Sequence, residues 1–151
     1  MGLTKEEALR KIHNCAIAYK ENLIGKNILF VTLIGNKYLY FETAFHARNF
    51  LHFTGVVSSL RSTMFFRAAL KNKLSTHDIE LITDGTTELK LEVLPKLMNI
   101  HLTARMAGDY DKTKSLLVTD KLAGTTAAVM GFVEDNGYYI PNTVMKEDLQ
   151  V

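Results

Sequence analysis

Ile28-Leu29-Phe30-Val31-Thr32-Leu33-Ile34-Gly35-Asn36-Lys37-Tyr38-Leu39-Tyr40-Phe41-Glu42-Thr43 decides the fold. Two runs of β-branched, aromatic and aliphatic residues flank a short Gly-Asn-Lys break. That pattern predicts a β-hairpin with a short loop. Upstream, Thr4-Lys5-Glu6-Glu7 has the form of a capping box, with Thr4 as N-cap and Glu7 three positions on. Ala8, Ile12, Cys15, Ala16, Tyr19 and Leu23 follow at three- and four-residue spacing, which predicts an amphipathic helix ending near Gly25. A helix feeding directly into a hairpin is the start of an α+β chain.

Downstream, Phe50-Leu51-His52-Phe53-Thr54-Gly55-Val56 reads as a strand or as an extended lead into a helix. In the strand reading, His52 and Thr54 share one face. Ser59 to Lys73 reads as a second helix, with Leu60, Met64, Phe65, Ala68 and Ala69 as its stripe, and Ser75-Thr76-His77-Asp78 caps a short third one. The segment from Glu88 to Leu102 is long and rich in Leu, Met and Lys, so helix is preferred over strand, with Pro95 kinking it or opening its second half. Beyond Ala104 short apolar runs alternate with turns: 105–108, 115–119, 126–133 and 138–140. Asp135-Asn136-Gly137 before the last run is a strong hairpin signal. The expected fold class is therefore α+β: N-terminal helices packed on a small, mainly antiparallel sheet completed by the C-terminal third. One domain over residues 1–151 is expected.

Composition narrows the function. Apolar residues make up 47% of the 151 and charged residues 23%, as in an ordinary globular chain. No apolar run approaches the ~20 residues of a membrane span. Met1-Gly2-Leu3-Thr4-Lys5-Glu6-Glu7 lacks a signal-peptide core, and the lone Cys15 gives no disulfide framework, so a cytoplasmic setting is expected. A net charge of +2 is too small to mark a nucleic-acid binder through its overall field. There is no GxGxxG after a strand, no Walker loop, no HExxH and no GxSxG, which removes the commonest nucleotide, zinc-protease and hydrolase readings.

The chemically suggestive strings are few. His52 beside Thr54 offers an imidazole for proton transfer near neutral pH and a hydroxyl for an oxyanion. The bland alternative is a partly buried histidine where the chain turns. Lys121, following a strand in Thr119-Asp120-Lys121, is placed to project over the sheet. Tyr138-Tyr139-Ile140-Pro141-Asn142-Thr143 offers an aromatic pair and two neutral hydrogen-bonding side chains at a strand end. Asp109-Tyr110-Asp111 could offer two carboxylates to a divalent metal, but a turn with solvated charges is the preferred reading, and no metal or other cofactor is expected. His46 and Arg48 read as a solvated loop and Cys15 as a buried structural thiol.

Six strings carry a resemblance: Asn49–Val56, Asp84–Leu91, Leu94–Met98, Thr119–Gly124, Met130–Val133 and Tyr138–Asp148. Together, in order over nearly the whole chain, they resemble a family of small bacterial and prophage proteins. It is classed as phage nucleases of the barnase–EndoU–colicin–RelE-like type, group four. The resemblance implies a metal-independent endoribonuclease with RNA, tRNA included, across one sheet face. Cleavage would run by 2′-OH transesterification to a cyclic phosphate, with a general base, a general acid and phosphate-stabilising groups.

On the matching strings it implies His52 as acid or base, Thr54 as a phosphate hydrogen bond and Lys121 as charge stabilisation. Asn142 and Thr143 would position substrate, Tyr139 would stack a base, and Arg61 and Arg105 would contact phosphates. It leaves room for an inhibitor or host protein as partner and for a homo-oligomer. The runner-up is a catalytically inert phage or mobile-element protein that binds a host protein or nucleic acid. A third reading, a metal-dependent phosphoesterase, needs Asp109, Asp111 or Asp120 to converge.

Overall fold

The computed structural model describes residues 2–109, 121–125 and 127–145. Helix α1 (Lys5–Asn22) starts as the sequence predicts: Thr4 Oγ1 accepts from the Glu7 N–H at 3.1 Å. Its stripe of Ala8, Ile12, Cys15, Ala16 and Tyr19 is buried. Strands β1 (Asn27–Ile34) and β2 (Lys37–Ala44) form the predicted hairpin, with Phe30 opposite Phe41 and Gly35 at φ +62° in the turn.

A 3-10 turn (Ala47–Asn49) leads into α2 (Phe50–Thr54), which is followed by β3 (Val56–Ser58) and α3 (Ser62–Leu70). After a second 3-10 turn (Thr76–Asp78) come β4 (Ile79–Leu81), α4 (Thr86–Leu97) and α5 (Ile100–Thr103). The remaining strands are β5 (Met106–Asp109), β6 (Lys121–Gly124), β7 (Val129–Asp135) and β8 (Tyr138–Met145).

The main sheet has six strands in the order β1-β2-β8-β7-β6-β5, and β3 pairs with β4 separately. Every pairing is antiparallel except β2 with β8, which runs parallel through Thr43 and Tyr139. A parallel neighbour needs a long crossover, and the helices between Ala44 and β5 lie within that connection. Asn136 and Gly137 take φ of +52° and +88° in the β7–β8 turn, the geometry that the Asn-Gly pair predicts.

Two aromatic groups fill the core. The Tyr19 ring meets Phe50 at 5.5 Å, Phe53 at 5.6 Å, Phe66 at 5.8 Å and Phe45 at 6.3 Å between centroids. Its hydroxyl donates to the His46 carbonyl at 2.9 Å, so the buried oxygen is paired. On the sheet, Phe30, Phe41 and Phe132 meet one another at 5.4 to 5.8 Å. Phe45 touches both groups, at 6.1 Å from Phe132.

The α+β class is as expected; two local readings change. Residues 50–54 are helical, so His52 and Thr54 do not share a strand face. The reason is packing: Phe50 and Phe53, three apart, both turn into the Tyr19 cluster. Gly55, at φ +70°, then stops the helix. The second helix is shorter than the sequence suggests and begins at Ser62, because residues 56–58 pair with β4. Lys121 opens β6, opposite Phe132. Pro95 is inside α4, near its end. The expected run at 115–119, the side chains of Asp109, Asp111 and Asp120, and the final turn after Met145 lie outside the described residues.

Candidate functional site

Three of the strings that carry the resemblance meet at one lysine. Lys90, on α4, donates from Nζ to the His52 carbonyl at 3.1 Å and reaches Thr143 Oγ1 on β8 at 3.5 Å. The α2 carbonyls at the helix end lack intrahelical partners, and a cation there satisfies one of them. Lys90 is half-buried, and desolvation holds its pKa below the usual lysine value. The His52 side chain is exposed; it is the residue's backbone carbonyl that meets Lys90.

The close approach of α2 and α4 depends on Gly55. A Cβ there would lie 3.0 Å from Lys90 Cδ and 3.1 Å from Thr87 Cα. Thr87, fully buried, donates from Oγ1 to the Gly55 carbonyl at 2.5 Å and accepts from the Ile82 N–H at 2.8 Å. Just before α4, Asp84 Oδ1 accepts from the Thr86 hydroxyl at 2.6 Å and the Thr86 N–H at 2.9 Å. Those bonds hold its carboxyl below the ordinary aspartate range. The loop, the helix start and the lysine one turn later are thus fixed as a unit.

Thr143 reaches this unit through a break in the sheet. Gly131 pairs with Thr143 but Phe132 pairs with Pro141, so β8 carries one extra residue, Asn142. A bulge of this kind reverses the alternation of side chains. Tyr139 packs on Phe41 at 5.4 Å, whereas Thr143 meets α4.

Lys121 and Tyr139 form a second pair, with Nζ 5.7 Å from the ring centroid. Arg61 is exposed as the N-cap of α3 and makes no side-chain cap. Arg105 is exposed beside a cleft of about 240 Å³ lined by Ile28, Phe30 and Val31 of β1 with His101, Ala104 and Ala107. His101 Nδ1, on the same cleft, is a buried nitrogen without a hydrogen-bond partner.

Thr54 is fully buried, and its hydroxyl is committed locally: it donates to the Leu51 carbonyl at 2.7 Å and accepts from the Val56 N–H at 3.3 Å. The helix that replaces the expected strand turns this side chain inward. Cys15 is buried, and burial pushes its thiol up to about 12, which suits a structural role. Lys90 is the residue that sequence reasoning missed. The signal was its place between Thr87 and Leu94, inside the apolar stripe of α4 rather than opposite it.

Residues 11–150 match the family described as phage-Barnase-EndoU-ColicinE5/D-RelE like nuclease4. The chain belongs to this family. Its nuclease-like character points to nucleic acid as substrate and to nuclease as the activity class. No solved structure and no curated protein sequence is significantly similar to the chain. Among the described residues no helix is long and apolar enough to cross a membrane. The residues that the family strings share, 49–56, 84–91 and 138–145, come together at Lys90 rather than at Lys121.

Proposed function

We propose that the protein is an endoribonuclease centred on His52, Lys90 and Thr143, cutting RNA by attack of a ribose 2′-OH on the adjacent phosphate. His52 moves the proton, since its side chain is solvent-accessible and imidazole is the side-chain type best suited to proton transfer. Lys90 supplies positive charge to the pentacovalent phosphate from a site where desolvation strengthens its field. Thr143 holds a non-bridging oxygen through its hydroxyl, at the bulge that Asn142 creates. Lys121 on Tyr139, with the exposed Arg61, contacts flanking phosphates. Tyr139 is assigned to holding Lys121, because its ring is engaged by that lysine and by Phe41. Thr54 is left out, its hydroxyl being committed to backbone.

The observation that supports this reading most is the Lys90 bridge. A half-buried lysine spends its hydrogen bonds on a helix-end carbonyl and a threonine beside an exposed histidine. Structure alone gains little from a desolvated cation there. The test is incubation of purified protein with tRNA and total RNA in EDTA, followed by end-group analysis. Products with 2′,3′-cyclic phosphate ends, lost in His52→Ala, are expected. RNA left intact by the wild type both with and without EDTA, as by His52→Ala, overturns the proposal; cleavage seen without EDTA and abolished by it overturns its metal-independent form.

A further inference from the structure

Among the described residues β1 and β5 are the two outer strands of the main sheet, unpaired with each other, yet they come within 8 Å of each other between Cα atoms. The sheet therefore curls until its ends almost meet, and the cleft of about 240 Å³ lies at that seam. Four successive residues of β1, Ile28 to Val31, line one side, so it is the edge of the strand that borders the cleft. Ile28 and Phe30 pack toward the core, while Leu29 and Val31 belong to the exposed outer face of the hairpin. Along such an edge every second residue points its N–H and C=O away from the ladder.

The other side of the cleft carries two groups that the nuclease reading does not use. Arg105 is exposed, and its backbone N–H is held by the Gly124 carbonyl at 2.9 Å. His101, on α5, lines the cleft as well, and its Nδ1 is enclosed without a hydrogen-bond partner. Buried polar atoms are almost always paired, so this nitrogen marks a missing partner, which a ligand in the cleft can supply.

We infer that the seam is a nucleotide-binding site, with a base in the cleft and its phosphate on Arg105. Three features select that ligand. First, two strands that flank a third stand about 9.5 Å apart, so an added strand would have to part the edges. A flat ring needs only about 7 Å, the sum of two van der Waals contacts. Second, the β1 edge and the His101 nitrogen call for a ring with hydrogen-bonding groups on its rim, as a base has and a hydrocarbon lacks. Third, a guanidinium beside the apolar Ile28 and Phe30 calls for a ring that bears an anion, and its forked N–H donors match a phosphate. The seam is separate from the Lys90 junction: β2 lies between β1 and β8, and β7 and β6 lie between β8 and β5. A free mononucleotide and one unit of an RNA strand share this chemistry.

The test is a titration of the full chain with each of the four nucleoside 5′-monophosphates, followed through its amide and histidine-ring NMR signals. Saturable binding of at least one, with a Kd below about 1 mM, is expected. The shifts should fall on residues 28–31 and 101–107 and on the His101 ring. Arg105→Ala should weaken binding by about tenfold or more, and Arg105→Lys by less. Lys90→Met should bind as tightly as the wild type, so the result is independent of whether the Lys90 junction cuts RNA. A non-cleavable 2′-O-methyl tetranucleotide separates the two sources. Tighter binding than the monophosphates at the same residues assigns the cleft to an RNA strand; weaker binding assigns it to a free nucleotide.

Inorganic phosphate or ribose 5-phosphate binding as well as the best nucleotide overturns the inference, because the cleft would then hold only an anion. So do shifts confined to Lys90 and Thr143, and so does an affinity unchanged in Arg105→Ala. Absence of binding by the monophosphates and the tetranucleotide alike, at about 5 mM, overturns it too. Arg105 is exposed, so its replacement leaves the core untouched.

Discussion

Lys90 and Lys121 are the same side chain set in two different surroundings. Lys90 rises from the buried stripe of a helix, meets a carbonyl and a hydroxyl, and is partly stripped of water. Lys121 opens a strand and lies over the Tyr139 ring, 5.7 Å from its centre. A lysine over a tyrosine ring gains a cation–π attraction. A lysine enclosed by packing costs stability and concentrates its field. Under the proposed function, Lys90 is the cation for the reacting phosphate and Lys121 the one for a flanking phosphate.

The sharpest way to break this contrast is to neutralise both lysines. Lys90→Met should lower RNA cleavage by about 100-fold or more, the scale of losing one charge-stabilising donor. Equal losses from Lys90→Met and Lys121→Met in the same assay would erase the distinction. Next in size is Gly55→Ala. It puts a methyl against Thr87 backbone at 3.1 Å and forces a left-handed φ of +70° on an L-residue. A destabilisation of about 2–3 kcal/mol is expected in urea unfolding, with lost activity. Lys121→Met should cost less than about tenfold in cleavage and become milder still at high salt, as for a peripheral phosphate contact.

The smallest effect sharpens the contrast from the stability side. Lys90→Met should move the thermal midpoint by no more than about 4 °C while removing activity, since losing the desolvated charge offsets losing its hydrogen bonds. The pH dependence has a definite sign. The folded pKa of Lys90 is below the 10.5 of an ordinary lysine. As pH rises through that window, the folded protein sheds the proton first, so this group favours folding increasingly. The cation is lost over the same range, and cleavage should fall there while the thermal midpoint gains this group's contribution. The alkaline limb in Lys121→Met should match that of the wild type.

Much of the fold was legible because its signals are local. Thr4 and Glu7 mark the start of α1, and Asn136-Gly137 marks the last turn, each through a backbone need that few residues meet. Residues 50–54 were not, since five residues are too few to show a helical period. The Tyr19 cluster that draws in Phe50 and Phe53 is assembled from distant segments. His52 and Thr143 were singled out from sequence; the backbone carbonyl of the first and the hydroxyl of the second meet one lysine. Thr54 was singled out and turns inward. Lys90 went unnoticed because lysine on an amphipathic helix ordinarily belongs to the solvated side, and only its offset from Thr87 and Leu94 argued otherwise. The exposed hairpin face was hidden for the opposite reason: apolar residues occupy both parities of β1 and β2, so alternation could not tell inside from outside.

The single parallel rung between Thr43 and Tyr139 has a consequence for synthesis. β8 follows every other described strand in sequence yet sits inside the main sheet, and it brings Thr143 to a lysine threaded through the ribosome some fifty residues earlier. A nascent chain halted before the mid-140s leaves β2 without its inner neighbour and the junction open. A junction assembled from residues 52, 90 and 143 therefore closes only after all three segments have left the ribosome.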